Sequence, residues 1–557
     1  MTLPPNDNKQ MKRKRKNAAV WLPLIIAVSV VAGIIAGGGL SGHRYAGDND
    51  RKLNTILNLV ADDYVDTLEI SDLIEASIPS ILSNLDPHTV YIPAKDLKAV
   101  NEELDGSFSG IGISFVIMSD TIVVVEVISG GPSERIGIMA GDRIVMIDDS
   151  LCVGKDITQE FAQSHLKGPK GTVVKVGIMR STSPDVLNFN ITRGDIPVKS
   201  VDAYYMVDKQ TGYIKVNKFG RTTYDEFLTG LMRLRNDGAE RYLVDLRGNA
   251  GGFMEMAILM ANEFLSGGQL IVYTEGRDKR ADTQIWSDGS GYFQDAEIIV
   301  LIDEYSASAS EIFAGAIQDN DRGLIVGRRS FGKGLVQRQF ELPDSSAVRM
   351  TIARYHTPTG RCIQKDYKQG EESYNMELYE RYSSGELYSK DSIKVSTDDV
   401  YTTPHGRKVY GGGGIMPDIF VANDTTGVTP YYISVVNAGL LQKFAFRYTD
   451  INRQELSELT DYKHFMRVLP SNESLLGDFV AFAADNGVPA RWYYISLSRD
   501  LILTQLKALI ARDIFGNEAF YPIYNRNDNN IEAALKAFSE HRAAFPIEAE
   551  YDGDNTE

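Results

Sequence analysis

The sequence predicts an α/β core, with a small and mostly β module ahead of it and helical regions at either end. Two apolar runs, Tyr242-Leu243-Val244-Asp245-Leu246 and Ile298-Ile299-Val300-Leu301-Ile302, each lead through a tight turn into residues at helical spacing. That is the pattern of strands buried on both faces and followed by helices. Between Gly106 and Thr192, runs such as Ile122-Val123-Val124-Val125 and Val173-Val174-Lys175-Val176 alternate with glycine-rich turns, the mark of short strands. From Val428 onward the pattern is mainly helical, with Leu501, Leu503, Leu506 and Leu509 apolar. A chain of 557 residues, 43% hydrophobic and 24% charged, has room for several folded domains.

In chain order, Lys12-Arg13-Lys14-Arg15-Lys16 precedes an uncharged stretch from Ala18 to Leu40. This matches the ~20 residues a spanning helix needs, and is longer than the apolar part of a signal peptide. Residues 1–17 are therefore expected to be a cytoplasmic basic tail and 18–40 a transmembrane anchor. The rest would lie in the periplasm, tethered to a bacterial inner membrane by a single pass. Residues 45–100 are expected to be a helical region, with Leu53, Ile56, Leu57 and Val60 on one face. It ends at the turn Leu85-Asp86-Pro87-His88-Thr89. The β module spans 101–192 and the α/β core 193–425. Within the core, 366–410 is rich in Tyr, Glu and Ser and reads as an insertion or mobile loop. Residues 426–557 form a C-terminal helical region.

A net charge of −17 argues against a nucleic-acid partner. The two cysteines, Cys152 and Cys362, read as free thiols, and neither a metal nor a cofactor is expected. None of the seven histidines lies in an H-E-x-x-H motif. His356 reads as a strand-end residue, although a triad assembled from distant positions stays open.

Gly327 to Gln337, GRRSFGKGLVQ, has the glycine and Gly332-Lys333 of a phosphate-binding loop. That loop needs a hydroxyl where Gly334 stands, and it should open a helix. Leu335 to Leu342 reads as extended instead. In an extended segment Lys333, Leu335 and Gln337 share one side. A lysine flanked by two glycines is poised for burial, and burial favours the neutral amine that serves as a general base.

The matching nucleophile is sought in Ser306-Ala307-Ser308-Ala309-Ser310-Glu311, between the buried run at 298–302 and a helical pattern. A serine there sits where helix N–H groups are unpaired and can stabilise an oxyanion. The competing reading is a capping box of Ser308 and Glu311. A second loop, Arg247-Gly248-Asn249-Ala250-Gly251-Gly252, follows the other buried strand. It reads as a source of further backbone donors or as a plain tight turn, with Arg247 an ion-pair partner.

With these stretches in hand, the chain from Leu85 to Asp418 resembles the carboxyl-terminal processing peptidases, or tail-specific serine proteases. The resemblance rests on Leu85-Asp86-Pro87, Gly110-Ile111-Gly112-Ile113, Asp245 to Gly252 and Ser306 to Glu311. It continues through Phe331-Gly332-Lys333-Gly334, Thr357-Pro358-Thr359-Gly360-Arg361 and the glycine run ending in Pro417-Asp418. It implies a Ser–Lys dyad of Ser308 and Lys333, with Gln337 orienting the lysine. Ala309 would be one oxyanion donor, and Gly251 or Gly252 the other, with Gly251 taken first. It also implies that the β module is a PDZ domain placed before the protease core. The Gly110, Ile111, Gly112 and Ile113 turn would receive a substrate's C-terminal carboxylate while the peptide adds to the sheet edge. Ala250 stands where the family often has proline, and Lys167 where arginine is common. The expected activity is a serine endopeptidase acting on proteins recognised by their C-terminus. The rival reading is a catalytically silent PDZ scaffold. The expected partners are protein and peptide substrates and the membrane, with a second copy or an activator protein kept as further ones.

Overall fold

The computed structural model describes residues 48–544, apart from 119, 155, 181–182 and 395–398. It divides into two units, Met1–Ser80 and Ile81–Glu557. The first contains the helix Asp48–Asp63, with Leu53, Ile56 and Leu59 exposed. All elements described next lie in the second.

The central sheet has six strands in the order Val201–Met206, Thr211–Val216, Arg241–Asp245, Glu297–Ile302, Leu324–Gly327 and Ile419–Phe420. The first two are antiparallel and every later pair is parallel. Side chains alternate along each strand, so both faces are apolar. Ile214, Val244, Val300 and Ile325 join a core with residues of the helices Thr223–Asn236, Met254–Asn262 and Ala309–Asp319. Tyr213, Leu243, Ile299, Leu301 and Val326 pack with Ile531, Ala534 and Phe538 of Asn529–Ser539. The helix Asn529–Ser539, the last among the described residues, therefore closes the second face of the core. The earlier helices of that region surround a core of their own, including Phe444, Phe465, Phe479 and Leu506.

The β module is an antiparallel sheet in the order Ile113–Met118, Thr121–Val127, Arg143–Ile147, Val173–Met179 and Leu187–Thr192, with Ser150–Leu151 beside the third. The helix Gln159–Leu166 packs Ala162 and Leu166 against Ile122, Val124, Val176 and Ile178. Ile113–Met118 ends the sheet and pairs with Thr121–Val127.

A third sheet is built on Ala347–His356, with Leu335–Glu341 along one edge and Val90–Ile92 and Leu270–Gly276 on the other. Leu335–Glu341 is the extended segment expected after Gly334. Val90–Ile92, within the stretch read as helical, is a strand held by its pairing with Arg349, Val348 and Ala347. Three residues are too few to show a period.

The 366–410 segment contains the helix Glu371–Ser383 and a hairpin of Val400–Thr402 with Lys408–Tyr410. Its composition suggested a loop, but a few of its polar groups are buried and paired. Arg381, only 3% exposed, donates to Glu386 and to the carbonyls of Arg329 (2.6 Å) and Ser330 (3.1 Å).

The single-pass inner-membrane placement is corrected. Among the described residues no helix is long and apolar enough to cross a membrane. The longest, Trp492–Phe515, carries Arg499, Asp500, Lys507, Arg512 and Asp513, charges that a bilayer interior penalises. The 1–17 tail and the 18–40 anchor lie outside the described residues.

Candidate active site

The buried strand Glu297–Ile302 ends in a turn that places three serines in a row of alternating positions. Two of their hydroxyls are tied to the neighbouring loop. Ser306 Oγ donates to Leu246 O (2.9 Å) and Ser310 Oγ to Asn249 O (2.8 Å), and both residues are fully buried. Ser308, partly exposed between them, has φ 56° and ψ −113°. A positive φ strains a residue with a Cβ and persists only where the surroundings impose it. Here Glu311 accepts from Ser308 N (2.8 Å), while Ser308 O accepts from Ile312 N (3.0 Å) and Tyr355 Oη (3.0 Å).

Lys333 sits two residues before Leu335–Glu341. Its Nζ donates to Gln337 Oε1 at 3.0 Å, just past the point where the strand's register shifts between Val336 and Gln337. Gln337 Nε2 in turn donates to the carbonyl of His88. That turn is fixed by Asp86, whose carboxylate accepts from His88 N (2.9 Å), Thr89 N (3.0 Å) and Thr351 Oγ1 (3.1 Å). Burial pushes the Lys333 amine below the usual lysine range, and the nearby Arg349 charge adds to the effect. Glu311 and Asp86 oppose it.

Glu311 joins the two loops. It is fully buried, and each oxygen accepts two hydrogen bonds. Oε1 takes Ser330 Oγ (2.5 Å) and Gly332 N (2.7 Å), and Oε2 takes Ser308 N (2.8 Å) and Lys333 N (2.9 Å). Tyr355 adds a second tie, its hydroxyl lying 2.5 Å from Lys333 O and 3.0 Å from Ser308 O. The loops bearing Ser308 and Lys333 are thus locked together through their backbones.

The glycine loop packs against the same turn. A Cβ built on Gly251 would lie 2.7 Å from Ala307 O, 2.8 Å from Ser308 Cβ and 3.0 Å from Ala309 N. The Gly251 N–H is engaged, however, donating to Asn249 Oδ1 at 2.8 Å. Arg247 is an ion-pair residue, bound to Asp245 (2.6 Å) and Asp528 (2.7 Å). His356 stacks on Tyr273 with ring centroids 4.7 Å apart and bonds Gly360 O through Nδ1 (3.1 Å), as suits a strand end.

The Gly110 to Ile113 turn is in the β module, apart from Ser308 in the chain and in the fold. Gly110 pairs with Gly194. The carbonyls of Ile111 and Gly112 accept from Ser133 N and Ile128 N, both at 3.0 Å, and Gly112 has φ 80°. Ile113 then opens the edge strand.

Comparison with known proteins gives these features a family. Residues 210–371 match Peptidase family S41 and 109–192 match the PDZ domain. The chain is 36% identical to the carboxy-terminal-processing protease of Bartonella bacilliformis over 318 residues, 56% of this chain and 72% of the relative. The chain belongs to the carboxy-terminal processing protease family. It is also 31% identical to carboxy-terminal processing protease CtpA of Bacillus subtilis, over 64% of this chain and 76% of the relative. The solved photosystem II D1 C-terminal processing protease is 24% identical, covers 66% of this chain and 91% of its own, and superposes with a TM-score of 0.33. Residues 431–516 match a family of unknown function. The chain is accordingly a serine protease with a PDZ domain.

Sequence reasoning missed three residues that hold this candidate site together. Glu311 was legible only as a helix cap, whereas it joins both loops. Tyr355 was hidden in a strand. His88 stands beside the Leu85-Asp86-Pro87 motif, which was noticed without a role. Burial, first, and the Lys333 charge push the His88 imidazole down to about 4, so it is neutral at working pH.

The close fit at Gly251 has a measurable consequence. Gly251 has φ 100°, so Gly251→Ala adds backbone strain as well as the three short contacts. Because they fall on Ser308 and Ala309, labelling of the protease by a fluorophosphonate should slow about 100-fold, the cost expected of a displaced reacting group. Labelling at the wild-type rate would show that the loop gives way freely.

Proposed function

We propose that Ser308 and Lys333 form the catalytic pair and that the PDZ domain selects substrates by their C-terminus. The observation that carries the proposal is Glu311, whose one carboxylate binds the backbones of both residues, with the Lys333 amine partly buried and oriented by Gln337. Ser308 Oγ adds to the scissile carbonyl carbon as its proton passes to neutral Lys333 Nζ. The C–N bond then breaks, and Lys333 returns the proton to the leaving amine. Water attacks the acyl-Ser308 ester with Lys333 again as base, releasing the new carboxylate and restoring both residues.

Ala309 N–H, at the start of its helix, supplies one oxyanion donor. The Gly251–Gly252 turn supplies the other. Gly251 N–H can serve only by giving up Asn249 Oδ1, so its bond must exchange as the oxyanion forms. Specificity comes from the turn of Gly110, Ile111, Gly112 and Ile113, which receives the carboxylate while the peptide extends the sheet along Ile113–Met118.

The test uses the full chain and a loosely folded protein ending in apolar residues, with a free or an amidated C-terminus. Intact-mass analysis should show the free form cut at least about tenfold faster, the value of a charged hydrogen bond or two. Equal rates would remove C-terminal recognition from the reading.

A further inference from the structure

The helix Glu371–Ser383 reaches the lysine from outside the motifs that define the site. We infer that Tyr374 on this helix is a positioning residue for Lys333, acting through His88 and Gln337. The inference rests on the proposed pairing of Ser308 with Lys333.

The contacts form an unbroken line. The Tyr374 hydroxyl lies 2.8 Å from His88 Nε2. The His88 carbonyl accepts from Gln337 Nε2, and Gln337 Oε1 accepts from Lys333 Nζ at 3.0 Å. Each link constrains the next. With its Nε2 committed to a carbonyl, Gln337 must present its oxygen to the lysine. A neutral amine that donates one hydrogen to this oxygen has its lone pair directed elsewhere, for the serine proton. If the His88 turn shifts, Gln337 loses the anchor that sets this orientation.

Asp86 holds the backbone of that turn, and Tyr374 is the partner of its ring. The two rings also meet edge to face, with centroids 5.3 Å apart. The charged groups acting on His88 are Lys333, Asp86 and Lys365. Those acting on Lys333 are Arg349, Glu311 and Asp86.

Tyr374 is well placed to hold a position because it is itself fixed. It is 3% exposed. Phe331, two residues before Lys333, meets its ring at 6.0 Å, and the Lys365 ammonium lies 4.2 Å from the same ring. Lys365 also lies 4.0 Å from the Phe331 ring and bonds Glu377 at 3.0 Å. Arg381, two turns further along the helix, holds the carbonyls of Arg329 and Ser330. The helix thus grips the lysine loop in two places and the His88 ring in a third. The hydroxyl also meets the Gln364 side chain, whose Oε1 accepts from Gly334 N at 2.9 Å, so the comparison with His88→Phe is what isolates the line to the amine.

Tyr374→Phe removes that hydroxyl and keeps the ring. With His88→Phe, Lys333→Ala and the double variant Tyr374→Phe/His88→Phe, it would be assayed as the full chain on one protein substrate. Expected for Tyr374→Phe is a fall in kcat of about five- to tenfold, the worth of one hydrogen bond, with KM within about twofold. The rising limb of kcat/KM against pH should move upward, because a loosened amine regains water and with it basicity. The double variant should lose no more than the worse single one, since both break the same line. Rates are taken per folded molecule, with the folded fraction read from each variant's thermal melt, so partial unfolding does not register as slow chemistry.

Unchanged kcat per folded molecule with an unmoved limb would overturn the inference, leaving the helix a structural cap. So would losses that multiply in the double variant. If Lys333→Ala keeps full activity, the Ser308–Lys333 pairing itself has failed and the inference falls with it. If Lys333→Ala is inactive and Tyr374→Phe is normal, the inference alone is wrong.

Discussion

Lys333→Ala is expected to lower kcat/KM by about 10⁴-fold and leave the protease folded, with Ser308→Ala at least as severe and the double variant no worse than either. General-base catalysis alone contributes about 10²- to 10⁴-fold, and groups that act as one unit are not additive. The pH profile carries a finer form of the same prediction. In the proposed pair Lys333 would accept a proton only when deprotonated, so kcat/KM should rise with pH through its pKa and level above it. Burial lowers that pKa, and the limb should therefore fall below the ~10.4 of an ordinary lysine. Arg349 contributes to the lowering, so Arg349→Gln should move the limb upward and reduce the rate at a fixed pH on it. Stability should follow pH in the same direction. The unfolded lysine binds its proton more readily than the folded one, so the cost of burial is largest below the folded pKa and fades as pH rises toward the unfolded value. Lys333→Met should accordingly melt above the wild type at neutral pH while being inactive, as expected where function is held at the expense of stability. Activity retained by Lys333→Ala would return the base to a histidine. His88, whose ring senses the Lys333 charge, would then be tested before His356, which is stacked on Tyr273.

The legible parts of this molecule were those whose signal is local. The runs at 242–246 and 298–302 are apolar because parallel strands are covered on both faces, and such runs need no partner to be recognised. The extended character of the segment after Gly334 is equally local, although the 3.0 Å bond between Lys333 and Gln337 also depends on the register shift at Val336–Gln337 that no local period shows. The hidden parts depend on partners far along the chain. Nothing near Ile531 or Phe538 shows that their helix covers Leu243 and Leu301. The 366–410 segment is polar enough to pass for a loop, because a buried ion pair such as Arg381 with Glu386 is indistinguishable in composition from two solvated charges. Val90–Ile92 exists through its pairing with Ala347–His356. At the site, the third position after Ser308 invites the capping reading, which is true as far as it goes. Glu311 does accept from Ser308 N, and only the distant arrival of Ser330, Gly332 and Lys333 shows that the same carboxylate does more.

Glu311 therefore yields the second large effect, and its variants should rank in an order set by hydrogen-bond valence. A carboxylate offers acceptors on both oxygens, whereas a carboxamide offers one oxygen and two donors. In Glu311→Gln the less costly placement turns the amide toward Ser330 and Gly332. Ser330 Oγ can rotate to accept, although it already accepts from Ile415 N at 2.6 Å, but Gly332 N–H is left facing a donor. The opposite placement strands both Ser308 N–H and Lys333 N–H. One buried and unsatisfied N–H costs about 1–3 kcal/mol, so Glu311→Gln should fold with a lower Tm. Glu311→Ala abandons all four donors and opens a cavity, and should be the least stable. Ser330→Ala removes one donor from the carboxylate and strands the Ile415 N–H, so it should melt near Glu311→Gln, but it keeps the bonds to Ser308 and Lys333. Activity should fall most for Glu311→Ala, by about 100-fold for Glu311→Gln and least for Ser330→Ala, because the Lys333 loop moves relative to Ser308 in the first two and a displacement of about 1 Å has that effect. Thermal melts and fluorophosphonate labelling rates on the three variants measure both rankings. If Glu311→Gln labels within about threefold of the wild type, the carboxylate is not what holds the two loops in register. Tyr355, whose hydroxyl spans Ser308 O and Lys333 O, would then be the group that does.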